Sequence, residues 1–182
     1  MIPAWLAVAA AIAAPADWRV ESFPFPLAFA PSIPYEGTEV VRFAPGWGDF
    51  AGERGFTYVI LWDIRRHRIE PADIERGLTV YFDGLMENVT RGRKLDDPGT
   101  VTNVALNPMA PPHGWTQGMS GRVWTWNGFG KGEALVLNTE IAVRDCGAER
   151  TQVFLAFSKT PRDAKAWPPM RDIREQTRCD AS

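Results

Sequence analysis

Residues 56–64, FTYVILWDI, constrain the fold more than any other stretch of the chain. Side chains alternate along a strand, so Phe56, Tyr58, Ile60, Trp62 and Ile64 fall on one side and Thr57, Val59, Leu61 and Asp63 on the other. Both sides are largely apolar, which reads as a central strand of a sheet rather than one with a face in water.

The flanking segments fill in an order around that strand. Residues 38–43 (TEVVRF) read as a strand stopped by Ala44-Pro45-Gly46. Ahead of it, residues 17–37 carry Pro24, Pro26, Pro31 and Pro34, and proline has no N–H for a ladder and a fixed φ. That excludes a helix or a central strand. The apolar Phe23, Phe25, Leu27, Phe29 and Ile33 predict an extended arm lying across the domain surface with its rings in grooves. After the central strand, Pro71 suits the first position of a helix, and Asp73 and Glu75 sit where the dipole favours negative charge. Ile74, Leu78, Tyr81 with Phe82, Leu85 and Val89 recur at helical spacing, and Arg91, Arg93 and Lys94 suit the far end. Gly77 and Gly84 lie on one side of this helix and predict a close approach of its backbone to a sheet.

The second half reads as an antiparallel meander over residues 100–106, 117–126, 133–144 and 150–158. Glycine-rich residues 127–132 supply one hairpin turn, and Cys146-Gly147-Ala148 supplies another. From Pro161 the chain reads as a weaker helical or coiled tail, broken at Pro168-Pro169. The expected fold is α+β: an antiparallel sheet of about five to six strands with one long helix packed on a face, in the order β-β-α-β-β-β-β.

Residues 5–14 (WLAVAAAIAA) are uncharged and too short for a membrane span, which takes roughly 20 apolar residues. With Ala14-Pro15-Ala16 they read as a secretory signal over residues 1–16, cleaved before Asp17, although no Lys or Arg precedes Trp5. Residues 17–182 then form one domain that is periplasmic or secreted, with no transmembrane anchor. Two cysteines, Cys146 and Cys179, are expected to pair in an oxidising compartment and to tie the tail to the domain body. The balance of 20 basic against 22 acidic residues argues against a nucleic-acid partner, which asks for a basic excess.

Candidate chemistry is sparse. Gly128-Phe129-Gly130-Lys131-Gly132 lacks the spacing of a phosphate loop and precedes a strand, so a hairpin turn is the expected reading. Asp63, His67, Glu70 and Asp73 match no metal-ligand spacing, and Arg65, Arg66 and Arg68 surround the histidine; neither a metal nor a cofactor is expected. A hydrolase would have to use His113, in the loop Pro111-Pro112-His113-Gly114, since no Gly-x-Ser-x-Gly elbow exists. The eight tryptophans are the more unusual feature. Tyr58, Trp62, Tyr81, Trp124 and Trp126 are candidate ligand-binding residues, Trp124 and Trp126 sharing a strand face by period-two spacing. They would line an aromatic pocket between helix and sheet for a small apolar or sugar-like ligand, or fill the core.

Phe29-Ala30-Pro31-Ser32-Ile33-Pro34-Tyr35-Glu36-Gly37, then Arg42-Phe43-Ala44-Pro45-Gly46-Trp47 and Tyr81-Phe82-Asp83-Gly84-Leu85, resemble a group of uncharacterised exported bacterial proteins over the first half of the mature chain. The resemblance implies export and brings no activity, cofactor or catalytic residue to these positions. Three functions stay open: a non-enzymatic exported domain binding a small ligand or a cell-envelope partner, a hydrolase using His113, and an assembly protein docking through its N-terminal arm.

Overall fold

The computed structural model describes residues 12–65, 68–96, 99, 101–147 and 149–179. Seven strands, β1 (Arg19–Phe25), β2 (Gly37–Phe43), β3 (Tyr58–Arg65), β4 (Asn103–Met109), β5 (Gln117–Trp126), β6 (Ala134–Asp145) and β7 (Arg150–Ser158), form one sheet. The helix α1 (Pro71–Gly92) connects β3 to β4, and α2 (Trp167–Gln176) follows β7. The spatial order is β1-β2-β3-β7-β6-β5-β4, and every neighbouring pair is antiparallel. The fold is α+β, as the pattern of elements predicts, and β3 sits between β2 and β7 with its two faces buried.

Two expectations are corrected. The sheet has seven strands, not five or six, because part of the proline-rich arm is itself a strand. Residues Arg19–Phe25 pair with Gly37–Phe43 along their whole length. Pro24 is tolerated because β1 is an edge, where one side of the strand needs no ladder partner; Pro108 in β4, at the opposite edge, obeys the same rule. There are also two helices, not one. Pro168 and Pro169 fall in the first turn of α2, whose N–H groups have no intrahelical acceptor in any case, so they start that helix and do not break it.

The sheet is covered on both faces. On one, α1 lays Ile74, Leu78, Tyr81, Phe82 and Met86 over the inward side chains of β2, β3, β5, β6 and β7. Its start is fixed by Pro71 and by the Glu70 backbone N–H, which donates to Asp73 Oδ2 at 3.1 Å. On the other face, Trp167, Met170 and Ile173 of α2 pack with Ile12, Trp18, Val40, Val59, Leu61 and Phe154. Arg171 and Arg174 of α2 clasp the buried Glu140 carboxylate of β6 at 2.6 and 3.4 Å. Cys146, just past β6, is bonded to Cys179, just past α2, with Cα atoms 5.5 Å apart. This disulfide closes a 33-residue loop, worth about 3.7 kcal/mol from chain entropy alone.

The two helix glycines differ. A Cβ on Gly77 would meet the Trp62 ring at 3.8 Å, an ordinary contact with the sheet layer. A Cβ on Gly84 would overlap the Phe29 carbonyl oxygen. The close approach at Gly84 is therefore to the arm between β1 and β2, and not to the sheet.

Candidate functional site

Strand alternation in β2 turns Glu39, Val41 and Phe43 toward α1. Antiparallel register then sets each between two neighbours: Glu39 between Phe23 and Trp62, Val41 between Glu21 and Ile60, Phe43 between Arg19 and Tyr58. Over this patch α1 brings Tyr81, Leu85, Met86 and Val89, and the loops add Phe29, Trp47, Phe56 and Phe129. Together they line a cavity of about 360 Å³ that is partly open to solvent. That volume lies within the range of small-molecule sites, which run from roughly 300 to 1,000 Å³. A second cavity, of about 640 Å³, lies on the other side of the molecule among Pro15, Trp18, Ala44, Thr57 and Pro169. It has no buried ionisable group among its lining residues.

The first cavity is walled by rings. Phe43 meets Trp47 edge-on at 4.8 Å, Trp47 meets Phe129 edge-on at 5.2 Å, and Phe50 stacks on Phe56 from behind at 4.6 Å. Phe129 is held there by the hairpin 127–133. Arg93, just past α1, donates to the carbonyls of Gly128 and Gly130 at 2.9 and 2.6 Å. The glycine-rich segment is thus a hairpin turn whose carbonyls are satisfied by a cation. The Arg19 guanidinium lies 4.6 Å above the Phe43 ring and 5.8 Å from that of Trp47, and contacts Glu21 at 3.4 Å.

Of the two carboxyl groups in this lining, Glu21 and Glu39, only Glu39 is buried. Glu39 has no solvent exposure, and it accepts from the Trp62 indole N–H at 2.7 Å and from the Tyr81 hydroxyl at 3.1 Å. Burial raises its pKa from 4.5 to about 7, against the opposing pull of those two hydrogen bonds. Among the described residues no Lys, Arg or His lies within ion-pair distance of it. Burial, and then the neighbouring Glu39 charge, push the Tyr58 and Tyr81 phenols well above their usual value. Trp47 adds a second unusual group, an indole N–H that is buried without an acceptor among the described residues.

Of the five aromatic residues expected to line a pocket, Tyr58 and Tyr81 do so. Trp62 lies behind them in the core, where its role is to hold Glu39. Trp126 is buried in the same layer, its N–H 3.5 Å from Thr90 Oγ1 of α1, away from the cavity. Trp124 is 39% exposed on the opposite face, across from the exposed Val136. Trp124 and Trp126 therefore do not share a face. Thr125 already points to the α1 side, bonding Thr102 at 2.9 Å, and Trp126, the last residue of the ladder, leaves the alternation to reach the helix.

Glu39, Phe43, Trp47, Phe56 and Phe129 are members of the site that the sequence reading does not select. A signal was present for Glu39, an acidic residue two and four positions from Val41 and Phe43 on one strand side. His113 is exposed on the loop between β4 and β5, apart from either cavity's lining. Asp63 is committed to Arg150 and to Gln152 at 3.0 Å, and Asp73 to Arg76, while His67 lies outside the described residues. Among the described residues no group of three or more His, Cys, Asp or Glu is placed to hold a metal ion, and no helix is long and apolar enough to cross a membrane. Comparison of the chain with protein-family models, with curated proteins and with solved structures finds no match, so the functional reading rests on geometry.

Proposed function

We propose that this is an exported domain that binds a small ligand in the cavity between β1–β3 and α1. The observation that carries the reading is the cavity itself: about 360 Å³ walled by rings, with a buried carboxyl group and an unpaired indole N–H among its lining residues. A core built only for stability tends to fill such space, since side chains normally pack to crystal-like density and a buried donor without an acceptor costs free energy. An occupant would restore the packing. Export is supported by the Cys146–Cys179 disulfide, a bond that persists in oxidising compartments, and by the short apolar leader at residues 5–14. The arm offers little for docking on a partner, because Phe25, Leu27 and Ile33 are buried in this chain's own core.

The test is a thermal-shift screen of the oxidised protein against small apolar, sugar-like and lipid-like molecules, run beside Val89→Trp, which fills the cavity. A ligand at a hundred times its Kd stabilises by about 2.7 kcal/mol, which is several degrees in Tm for a domain of this size. We expect wild type to respond to at least one compound and Val89→Trp to lose that response. A wild type indifferent to the whole panel, or a variant that responds equally, refutes the reading.

A further inference from the structure

The cavity holds a buried carboxyl group, Glu39, that has no ion-pair partner among the described residues, and the one cation in its lining, Arg19, is paired with Glu21 at 3.4 Å. Glu39 is fixed by two neutral donors, Trp62 and Tyr81, which orient both carboxylate oxygens but leave the charge uncompensated. The residue directly across β1 from it is Phe23, which brings no charge. The ring faces are also known to accept a positive group, because the chain already sets one there: the Arg19 guanidinium lies over Phe43 and Trp47 at the cavity lining. Aromatic faces attract cations through their quadrupole, most strongly where water is excluded. A desolvated carboxylate does so over a longer range in a low-dielectric surrounding.

Resting on the ligand-binding reading above, we propose that the occupant is a small organic cation, an amine or quaternary ammonium on a compact apolar body, with its charge toward Glu39 and its body among Phe43, Trp47, Phe56 and Phe129. An anionic ligand would face the Glu39 carboxylate, with the lining's one cation, Arg19, already paired to Glu21, and is disfavoured. A neutral one gains the rings but nothing from the carboxylate. Arg19, at 62% side-chain exposure, is free to swing from the two rings when the cation enters. Its alternative partner, Glu21, is already within 3.4 Å.

Binding of a cation selects the ionised form of Glu39, and this gives the proposal a signature in pH. The charged and titratable groups facing Glu39 are Tyr81 from α1, Tyr58 from β3, and Glu21 and Arg19 from β1. Both phenols are pushed upward and stay neutral near pH 7. Affinity for the cation should therefore fall about tenfold for each pH unit below the Glu39 value near 7 and level off above it.

The experiment is calorimetric titration of the full oxidised protein with n-hexyltrimethylammonium, n-hexanol and n-hexanoate at pH 5.5 and 8. The expected order is cation tighter than alcohol by at least tenfold, with hexanoate weakest, and only the cation gaining affinity from pH 5.5 to 8. Glu39→Gln should bring the cation to the level of the alcohol and leave the alcohol unchanged. Should that variant fail to fold, the wild-type pH dependence alone decides. Alcohol binding as tightly as the cation, or a cation affinity flat in pH, overturns the cationic class and leaves the cavity reading standing. No binding by any of the three overturns both.

Discussion

Glu39→Gln separates the pH dependence of this protein's stability into one identifiable contribution. The folded state holds the Glu39 proton up to about pH 7, whereas an exposed glutamate releases it near 4.5. Between those values the folded protein binds more protons than the unfolded chain, so stability falls as pH rises. The full contribution is present below 4.5 and is gone above about 7. At more than about 1 kcal/mol per pH unit it amounts to roughly 3 kcal/mol in all, most of it lost between pH 5 and 8. Glu39 is fully buried, so solvent screening does not reduce this figure. The substituted glutamine cannot titrate; it keeps an acceptor for one of the two donors, Trp62 or Tyr81, and lowers stability by a constant amount. Urea unfolding of the two proteins at half-unit steps from pH 5 to 8 isolates the contribution, because every other titrating group cancels in the difference. The wild-type advantage should shrink by roughly 2–3 kcal/mol across the range. Two parallel curves would refute the uncompensated buried carboxyl and everything built on it.

Other outcomes follow from the packing. Gly77→Ala should stabilise by up to about 1 kcal/mol through helix propensity, since its Cβ meets only the Trp62 ring at 3.8 Å. Gly84→Ala should instead destabilise by about 1–3 kcal/mol through overpacking, because its Cβ overlaps the Phe29 carbonyl; denaturant midpoints of the pair read the contrast, and equal effects would contradict it. Replacing Cys146 and Cys179 by serine should cost about 2–4 kcal/mol, with two free thiols in the unreduced wild type as the contrary result. Mass spectrometry of protein from an exporting host should find a mature N-terminus at Asp17. That processing removes Ile12, which is buried in the α2-side core, and should leave the mature form about 2 kcal/mol less stable than the precursor; an unprocessed chain would contradict export.

The elements that declare themselves in the sequence are those whose signal is local. β3 shows two apolar sides, α1 shows Pro71 and a helical apolar stripe, and the β5–β6–β7 meander has glycine at its turns. What the sequence conceals depends on neighbours. Pro24 and Pro26 mask β1, because whether a proline ruins a strand depends on its being at an edge, which pairing alone decides. Pro168-Pro169 mask α2, because the same dipeptide ends one helix and opens the next. The cavity is still less legible. Its lining is gathered from three strands, one helix and the loops between them, and Glu39 becomes a buried charge only once β1 and β3 close on either side of β2. Trp124 and Trp126 mislead for the converse reason, since a strand's last residue is released from alternation when a helix offers it a partner.

The cavity's occupancy is most directly read from the indole N–H resonances of the protein during titration with n-hexyltrimethylammonium. Trp47 lines the cavity and Trp62 donates to Glu39, while Trp115 and Trp124 lie outside the cavity's lining. Binding at the site requires the Trp47 and Trp62 signals to move together, saturably, with Trp115 and Trp124 unmoved. Shifts confined to Trp124, or four signals that stay where they began, would contradict cation binding between β1–β3 and α1, and the same result with n-hexanol would contradict the ligand site itself.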